Sequence, residues 1–156
     1  MNPYFRGIFG VIATYSAGVI GLLFVDTTIS SWYAALAKPR YMPPDWAFAP
    51  IWMVMYAFAA AALIMIWTMK PETPEAETWA RFYFVQLFFN AAWVMFFFGF
   101  HAFRLSFVEI LVYIFLSICL TINAFELNKR AGVLLLPYVG WLIYAGLLNG
   151  MIWYMN

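Results

Sequence analysis

Charged residues are scarce in this sequence, and their scarcity decides its class. Only 10% of the 156 residues are Asp, Glu, Lys or Arg, whereas 67% are hydrophobic. Soluble domains carry about 25% charged and about 45–50% apolar residues. A water-soluble fold cannot hide so much apolar surface, so the sequence indicates an integral membrane protein. The formal net charge of +1 and the absence of a basic run exclude a nucleic-acid-binding surface.

Cysteine and histidine are also nearly missing. The single cysteine, Cys119, excludes an internal disulfide and any metal site that needs several cysteines. Because its neighbours are apolar, Cys119 is interpreted as a small packing residue. The single histidine, His101, lies in a short connection and is interpreted as an interface residue rather than a haem ligand. We therefore expect no metal site and no required cofactor.

Long apolar runs account for most of the chain. A spanning helix needs about 20 mostly apolar residues, and five runs, numbered here as spans 1 to 5, qualify: residues 4–25, 48–69, 78–100, 105–125 and 132–154. The runs are continuously apolar rather than alternating, which favours helices over a β-barrel. The sequence therefore predicts an all-α integral membrane protein, with one domain over residues 1–156 built as a five-transmembrane-helix bundle.

The longest connection, residues 26–47, joins spans 1 and 2. The other connections are short, and a long loop in such an economical chain is usually functional. It is rich in proline and aromatic residues, and its candidate site residues are Trp32, Tyr33, Lys38, Pro39, Pro43 and Pro44.

Spans 2, 3 and 5 each carry aromatic or polar side chains on one helical face. These are Trp52 and Tyr56 in span 2, Gln86, Asn90, Trp93 and Phe97 in span 3, and Pro137, Trp141, Tyr144 and Leu148 in span 5, with Tyr138 and Asn149 on a neighbouring face. Polar side chains at mid-membrane are costly, so the amides should point inward. Two interpretations stay open: hydrogen bonds between helices, or a cavity lined by aromatic residues with polar anchors.

Two further features of the spans have two interpretations each. Ala13, Ala17 and Gly21 form a small-residue stripe in span 1, for packing inside the bundle or for a dimer interface. Glu109, an acid inside span 4, either extends to the membrane surface, which we favour, or is a proton or ligand site.

Positive charges indicate the orientation in the membrane. On the N-terminal side lie Arg6, Lys70, Arg81, Lys129 and Arg130, and on the other side lie Lys38, Arg40 and Arg104. This distribution favours a cytoplasmic N-terminus and a long loop on the outer side.

Three groups of residues also occur in a characteristic order. They read Trp32-x3-Leu36-x-Lys38-Pro39-x3-Pro43-Pro44 followed by Pro50-Ile51-Trp52-x3-Tyr56, then Gln86-x3-Asn90-x2-Trp93-x3-Phe97-Phe98-Gly99, then Leu136-Pro137-Tyr138-x2-Trp141 with Leu148-Asn149. Together they resemble the first loop and the second, third and fifth helices of the translocator protein family. Its members are also known as tryptophan-rich sensory proteins or peripheral-type benzodiazepine receptors. The resemblance covers the whole chain.

The resemblance implies a five-helix bundle that binds porphyrins such as protoporphyrin IX or haem in a cavity under the first loop. Membrane lipid and synthetic benzodiazepine-type ligands are implied as well. Trp52 and Trp141 match family positions implicated in light-dependent porphyrin breakdown, which makes them the candidate catalytic residues. The family's cholesterol-recognition pattern is absent, because Tyr144 is followed by Ala-Gly-Leu-Leu-Asn, so sterol binding is not expected.

The resemblance also implies a homodimer. The lack of a basic C-terminal tail is similar to bacterial rather than mitochondrial members, so we expect a bacterial cell membrane. Two alternative functions stay open beside porphyrin binding and breakdown. One is a transporter of porphyrin or lipid, and the other is a ligand-responsive sensor or scaffold that acts through a partner protein.

Overall fold

The computed structural model describes residues 2–23, 29–68 and 73–156. In these ranges all the regular structure is helical, with the elements α1 Pro3–Leu22, α2 Ile29–Ala35, α3 Asp45–Trp67, α4 Pro74–Val94, α5 Phe103–Leu127 and α6 Lys129–Met155. A π-helical turn, Met95–Gly99, continues α4. The predicted all-α class is thus confirmed for the described part of the chain.

Among the described residues, four helical segments are long and apolar enough to cross a membrane. They are α3, α4 with its π-helical turn, α5 and α6, which correspond to spans 2 to 5. Helix α1, with 20 residues, is a further helix that packs along α3 and α4. Because helices satisfy their own backbone hydrogen bonds in lipid, this arrangement is that of a multi-pass membrane protein.

The connection between α1 and α3 differs from the single long loop that the sequence predicts. Helix α2 occupies part of it, and α3 begins at Asp45, earlier than residue 48. Pro44 is extended, with φ −61° and ψ 145°, and precedes the helix. An acidic residue in the first turn interacts favourably with the helix dipole, which supports a start at Asp45. Residues 24–28 lie outside the described residues.

Glycines allow α5 and α6 to pack closely. A Cβ atom at Gly146 would lie 2.9 Å from Cδ1 of Ile114, and one at Gly150 would lie 2.8 Å from Cε2 of Phe107. Any larger residue at either position would push these side chains aside. The two glycines therefore set the separation of the two helices that form the most extensive pair in the bundle.

The small-residue stripe of α1 packs within the chain. Ala17 is only 5% exposed, and Ala13 packs against the same buried core. Gly21 belongs to α1, but its surroundings lie outside the described residues. Ala13 and Ala17 therefore serve packing between helices of one chain, and a dimer stays a prediction.

Candidate functional site

Five aromatic side chains from three helices meet around Trp52. This aromatic cluster consists of Trp52 and Tyr56 of α3, Trp93 of α4, and Tyr138 and Trp141 of α6. The four other ring centroids lie 5.5–6.5 Å from that of Trp52. Each helix contributes because residues three or four apart share a face. The cluster is the largest group of sequence-predicted site residues that the fold brings together.

Two asparagines hold the cluster by hydrogen bonds between helices. The Tyr56 hydroxyl donates to Oδ1 of Asn90 at 2.8 Å, and the Trp93 indole donates to Oδ1 of Asn149 at 2.9 Å. Asn149 in turn donates through Nδ2 to the carbonyl of Phe103 at 3.1 Å. These bonds fix two rings of the cluster relative to α4, α5 and α6.

A second polar contact lies behind the cluster. The hydroxyls of Tyr113 and Tyr138 are hydrogen-bonded to each other, and both side chains are fully buried. Sequence reasoning missed Tyr113. The residue could have been found from its sequence position, because a phenol deep inside a membrane span normally faces a polar partner.

Three buried nitrogen donors around the cluster make no hydrogen bond of normal geometry among the described residues: Nε2 of Gln86, Nδ2 of Asn90 and Nε1 of Trp141. The Gln86 side chain still interacts with the Tyr138 hydroxyl, and the Asn90 side chain with the Tyr113 hydroxyl. Gln86 and Asn90 are at most 2% exposed, so water does not reach them from outside the fold. A buried donor without an acceptor costs about 1–3 kcal/mol. The cluster therefore has unused capacity for hydrogen-bond acceptors.

Residues 32–44, here named the covering segment, are anchored by Trp32. Its indole stacks on the His101 imidazole at 3.8 Å with an interplanar angle of 14°. The rings of Phe97, Phe98 and Phe103 lie within 6.5 Å of it. Sequence reasoning assigned His101 to the membrane interface alone. Its φ of 53° is unusual for a residue with a side chain, and no sequence pattern announces it.

Helix α6 holds the covering segment by hydrogen bonds. Asn156 accepts from the Ala37 amide through Oδ1 and donates through Nδ2 to the Ala37 carbonyl, each at 3.1 Å. The Tyr144 hydroxyl donates to the Tyr41 carbonyl at 2.7 Å. These three bonds tie the segment to the helix that carries Trp141.

Lys38 contacts Tyr33 of the covering segment and Asp45 at the start of α3. Its Nζ lies 3.7 Å from the centroid of the Tyr33 ring and 3.7 Å from Oδ1 of Asp45. Burial raises the pKa of the Tyr33 phenol to about 12, and the Asp45 carboxylate adds to the rise. The phenol therefore stays protonated and directs its hydrogen towards Sδ of Met42 at 3.8 Å.

Of the remaining predicted site residues, one group lies inside the fold or partly inside it, and the other group is exposed. Pro39 and Leu148 are buried, Pro43 and Tyr144 are half-buried, and Phe97 packs against Trp93 at 5.7 Å. Pro44 and Pro137 are exposed. Helix α6 turns the Pro137 ring outward and the next residue, Tyr138, inward, and a role of Pro44 or Pro137 in the site stays a prediction.

The rings of the aromatic cluster pack against one another, and Trp52 and Trp141 are half-buried. Grooves of about 570, 550 and 670 Å³ lie elsewhere on the bundle, against α4 and α5, against the start of α5 and the end of α6, and against α1 and α3. No tryptophan of the aromatic cluster lines these three grooves. The described residues bring together no group of three His, Cys, Asp or Glu for a metal; the cluster offers aromatic faces and N–H donors instead.

Comparison with known proteins decides the family. The TspO/MBR family matches residues 10–155, which include every residue of the aromatic cluster. The chain belongs to the TspO/MBR family. Family membership agrees with the apolar helices described above, and together they identify a multi-pass membrane protein.

Relatives in the TspO/MBR family come from archaea, bacteria and animals. The tryptophan-rich protein TspO of Archaeoglobus fulgidus is 32% identical over 146 residues, which cover 94% of each chain. TspO of Chlorobaculum tepidum is 32% identical over 90% of this chain and 89% of its own. The translocator protein of Bos taurus is 32% identical over 89% of this chain and 83% of its own.

Proposed function

We propose that this protein binds a porphyrin in the aromatic cluster beneath the covering segment and promotes its light-dependent oxidation. The observation that carries the proposal is the combination of clustered aromatic rings with three buried nitrogen donors that make no hydrogen bond of normal geometry. A flat tetrapyrrole stacks on Trp and Tyr rings, and its carboxylate and ring nitrogen atoms are acceptors for such donors. Family membership supports the same ligand class.

The ligand must open the site to enter it. Pockets for molecules of this size have about 300–1,000 Å³, whereas the rings around Trp52 are packed against one another. The covering segment is the part that can move, because its bonds to α6 involve exposed residues such as Ala37 and Asn156. Displacement of this segment also releases Lys38 from Asp45, and Lys38 and exposed Arg40 are the cations nearest at hand for porphyrin carboxylates.

Trp52 and Trp141 supply the redox chemistry in this proposal. Their ring centroids lie 6.3 Å apart, so a ligand that separates them contacts both. The light-excited porphyrin takes one electron from an electron-rich indole and passes it to dioxygen, which becomes superoxide. The indole radical cation recovers an electron from the porphyrin, and the porphyrin radical cation combines with superoxide, so that the net reaction adds dioxygen to the porphyrin and restores the indole. No conventional acid or base is needed for this step.

The first experiment measures binding in the dark. Protoporphyrin IX is titrated with wild type and with the double variant Trp52→Phe/Trp141→Phe, and the porphyrin absorption band reports the bound fraction. Trp79→Phe is the matched control, because Trp79 is buried but bonds to the Leu120 carbonyl outside the cluster. We expect saturable binding by all three proteins, since phenylalanine keeps an apolar ring face. No saturable binding by wild type would refute a porphyrin site.

The second experiment illuminates the same samples in the presence of oxygen. We expect rapid loss of the porphyrin band with wild type and the Trp79 control, and slow loss with the double variant. Equal rates in all samples would refute tryptophan-dependent photooxidation. The protein would then be a porphyrin carrier or a porphyrin sensor. Uptake of protoporphyrin IX into sealed vesicles then distinguishes the carrier from the sensor.

We also propose that α1 crosses the membrane as span 1, which makes five spans in all, and that the protein lies in a bacterial cell membrane with a cytoplasmic N-terminus. At about 1.5 Å per residue, 20 residues are about 30 Å long, which matches the hydrocarbon core. In a Cys119→Ser background, cysteines introduced at Asn2 and Asn156 should react with an impermeant reagent from opposite sides. Reaction from the same side would contradict five spans.

A further inference from the structure

Glu109 is a buried acid that the aromatic cluster does not use. It lies six residues after the start of α5, about 9 Å along the helix axis. The residue is 8% exposed, and both carboxyl oxygens are buried without a hydrogen-bond partner among the described residues. The structure therefore excludes the interpretation that its side chain extends to the membrane surface.

The neighbours of Glu109 leave its carboxyl unpaired. Ser106, one turn earlier on α5, donates its hydroxyl to the Phe103 carbonyl at 3.0 Å. Arg104 is exposed and lies on another face of α5, and His101 stacks on Trp32. No charged residue in the described ranges compensates a charge on this carboxyl, and burial is the one effect that acts on its ionisation.

The titratable groups that the surrounding helices turn towards the middle of the bundle are phenols. They are Tyr113 on α5, Tyr83 on α4, Tyr138 on α6 and Tyr56 on α3, and all four are buried. Phenols are neutral at neutral pH, so none of them compensates a carboxylate charge. An ionised carboxylate without a partner is far more costly in a buried apolar site than a neutral carboxylic acid.

We infer that Glu109 is a proton-binding site inside the membrane and that its carboxyl carries a proton at neutral pH. The inference rests on the burial of an unpaired acid in a spanning helix and is independent of porphyrin binding. Release of this proton places a lone negative charge in the bundle.

Infrared spectroscopy of the full chain in lipid vesicles tests this site. The C=O stretching band of a protonated carboxylic acid should be present in wild type at neutral pH and absent in Glu109→Gln. Glu126→Gln is the matched control, because Glu126 lies on the same helix but is exposed, and it should keep the band. A wild-type spectrum without the band, or a Glu109→Gln spectrum that retains it, overturns the inference.

A second measurement does not depend on the folding of the variant. Wild type in which the five glutamates carry a ¹³C-labelled side-chain carboxyl should show the isotope shift in the protonated band. This shifted band should persist above the pH at which exposed glutamates ionise, and it should disappear only at alkaline pH. Loss of the entire shifted band in the acid range, together with the exposed glutamates, overturns the inference.

Discussion

Replacing Asn156 by alanine should loosen the covering segment without disturbing the helices. The substitution removes the acceptor of the Ala37 amide and the donor to the Ala37 carbonyl. The third bond of Asn156, to the Ile152 carbonyl at 2.9 Å, belongs to its own helix. The Trp32 stack on His101 is untouched, so the segment should open more often rather than unfold completely.

The size of the effect follows from the exposure of the bonded groups. A protein hydrogen bond contributes about 0.5–1.5 kcal/mol net, and both Ala37 and Asn156 are exposed, which places each bond at the low end. Two such bonds sum to about 1 kcal/mol, and about 1 kcal/mol changes an opening equilibrium about fivefold. Hydrogen exchange of the Met42 amide, which donates to the Pro39 carbonyl at 3.0 Å within the segment, should therefore become about fivefold faster.

Mass-spectrometric hydrogen exchange of peptides from the covering segment provides the assay. Asn123→Ala is the control, because the Asn123 amide bonds to the Cys119 carbonyl of its own helix at 2.8 Å, and it should leave exchange of the Met42 amide unchanged. If Asn156→Ala also leaves it unchanged, these bonds do not hold the segment. Where opening limits porphyrin association, the association rate should rise by the same factor.

Two further predictions concern the packing around Tyr56. The effects of Tyr56→Phe and Asn90→Leu on the free energy of unfolding in mixed micelles should be coupled by about 0.6–1.7 kcal/mol in a double-mutant cycle, as for other hydrogen bonds between membrane helices. Additive losses would contradict the 2.8 Å bond between the two side chains. Gly18→Ala should destabilise by about 1–3 kcal/mol, because its Cβ would lie 2.6 Å from Cε2 of Tyr56. Gly140→Ala meets nothing within 4 Å and should stabilise by up to about 1 kcal/mol, so thermal shifts of the same sign would refute the reasoning.

The spanning helices could be predicted because their cause is local in sequence. Long runs without charge need no knowledge of neighbours to be assigned to lipid, and α3 to α6 lie where the runs lie. The π-helical turn Met95–Gly99 and helix α2 could not be predicted in this way. Both depend on tertiary packing, with Trp32 of α2 seated on the rings at the end of α4.

The site could be predicted in outline but not in its connections. Helical spacing places Trp52 and Tyr56 on one face, and the cost of polar groups in lipid points Asn90 inward. Spacing does not reveal which donor meets which acceptor across helices. The bond between Asn156 and Ala37 joins residues far apart in the chain, and only the folded arrangement shows it.

The site should open at its covering segment rather than within the bundle. On the inner side, Tyr56, Trp93 and Tyr138 are tied by buried hydrogen bonds, and breaking one leaves polar atoms without water to replace the partner. On the outer side, the bonds of Ala37 involve exposed residues, and water can replace each partner as the segment lifts. Breaking the hydrogen bonds on the outer side therefore costs less free energy than breaking those on the inner side. A ligand that displaces only these exposed bonds of the covering segment loses little, because Trp32 stays anchored on His101. It would gain the donors of Gln86, Asn90 and Trp141, which make no normal hydrogen bond in this conformation.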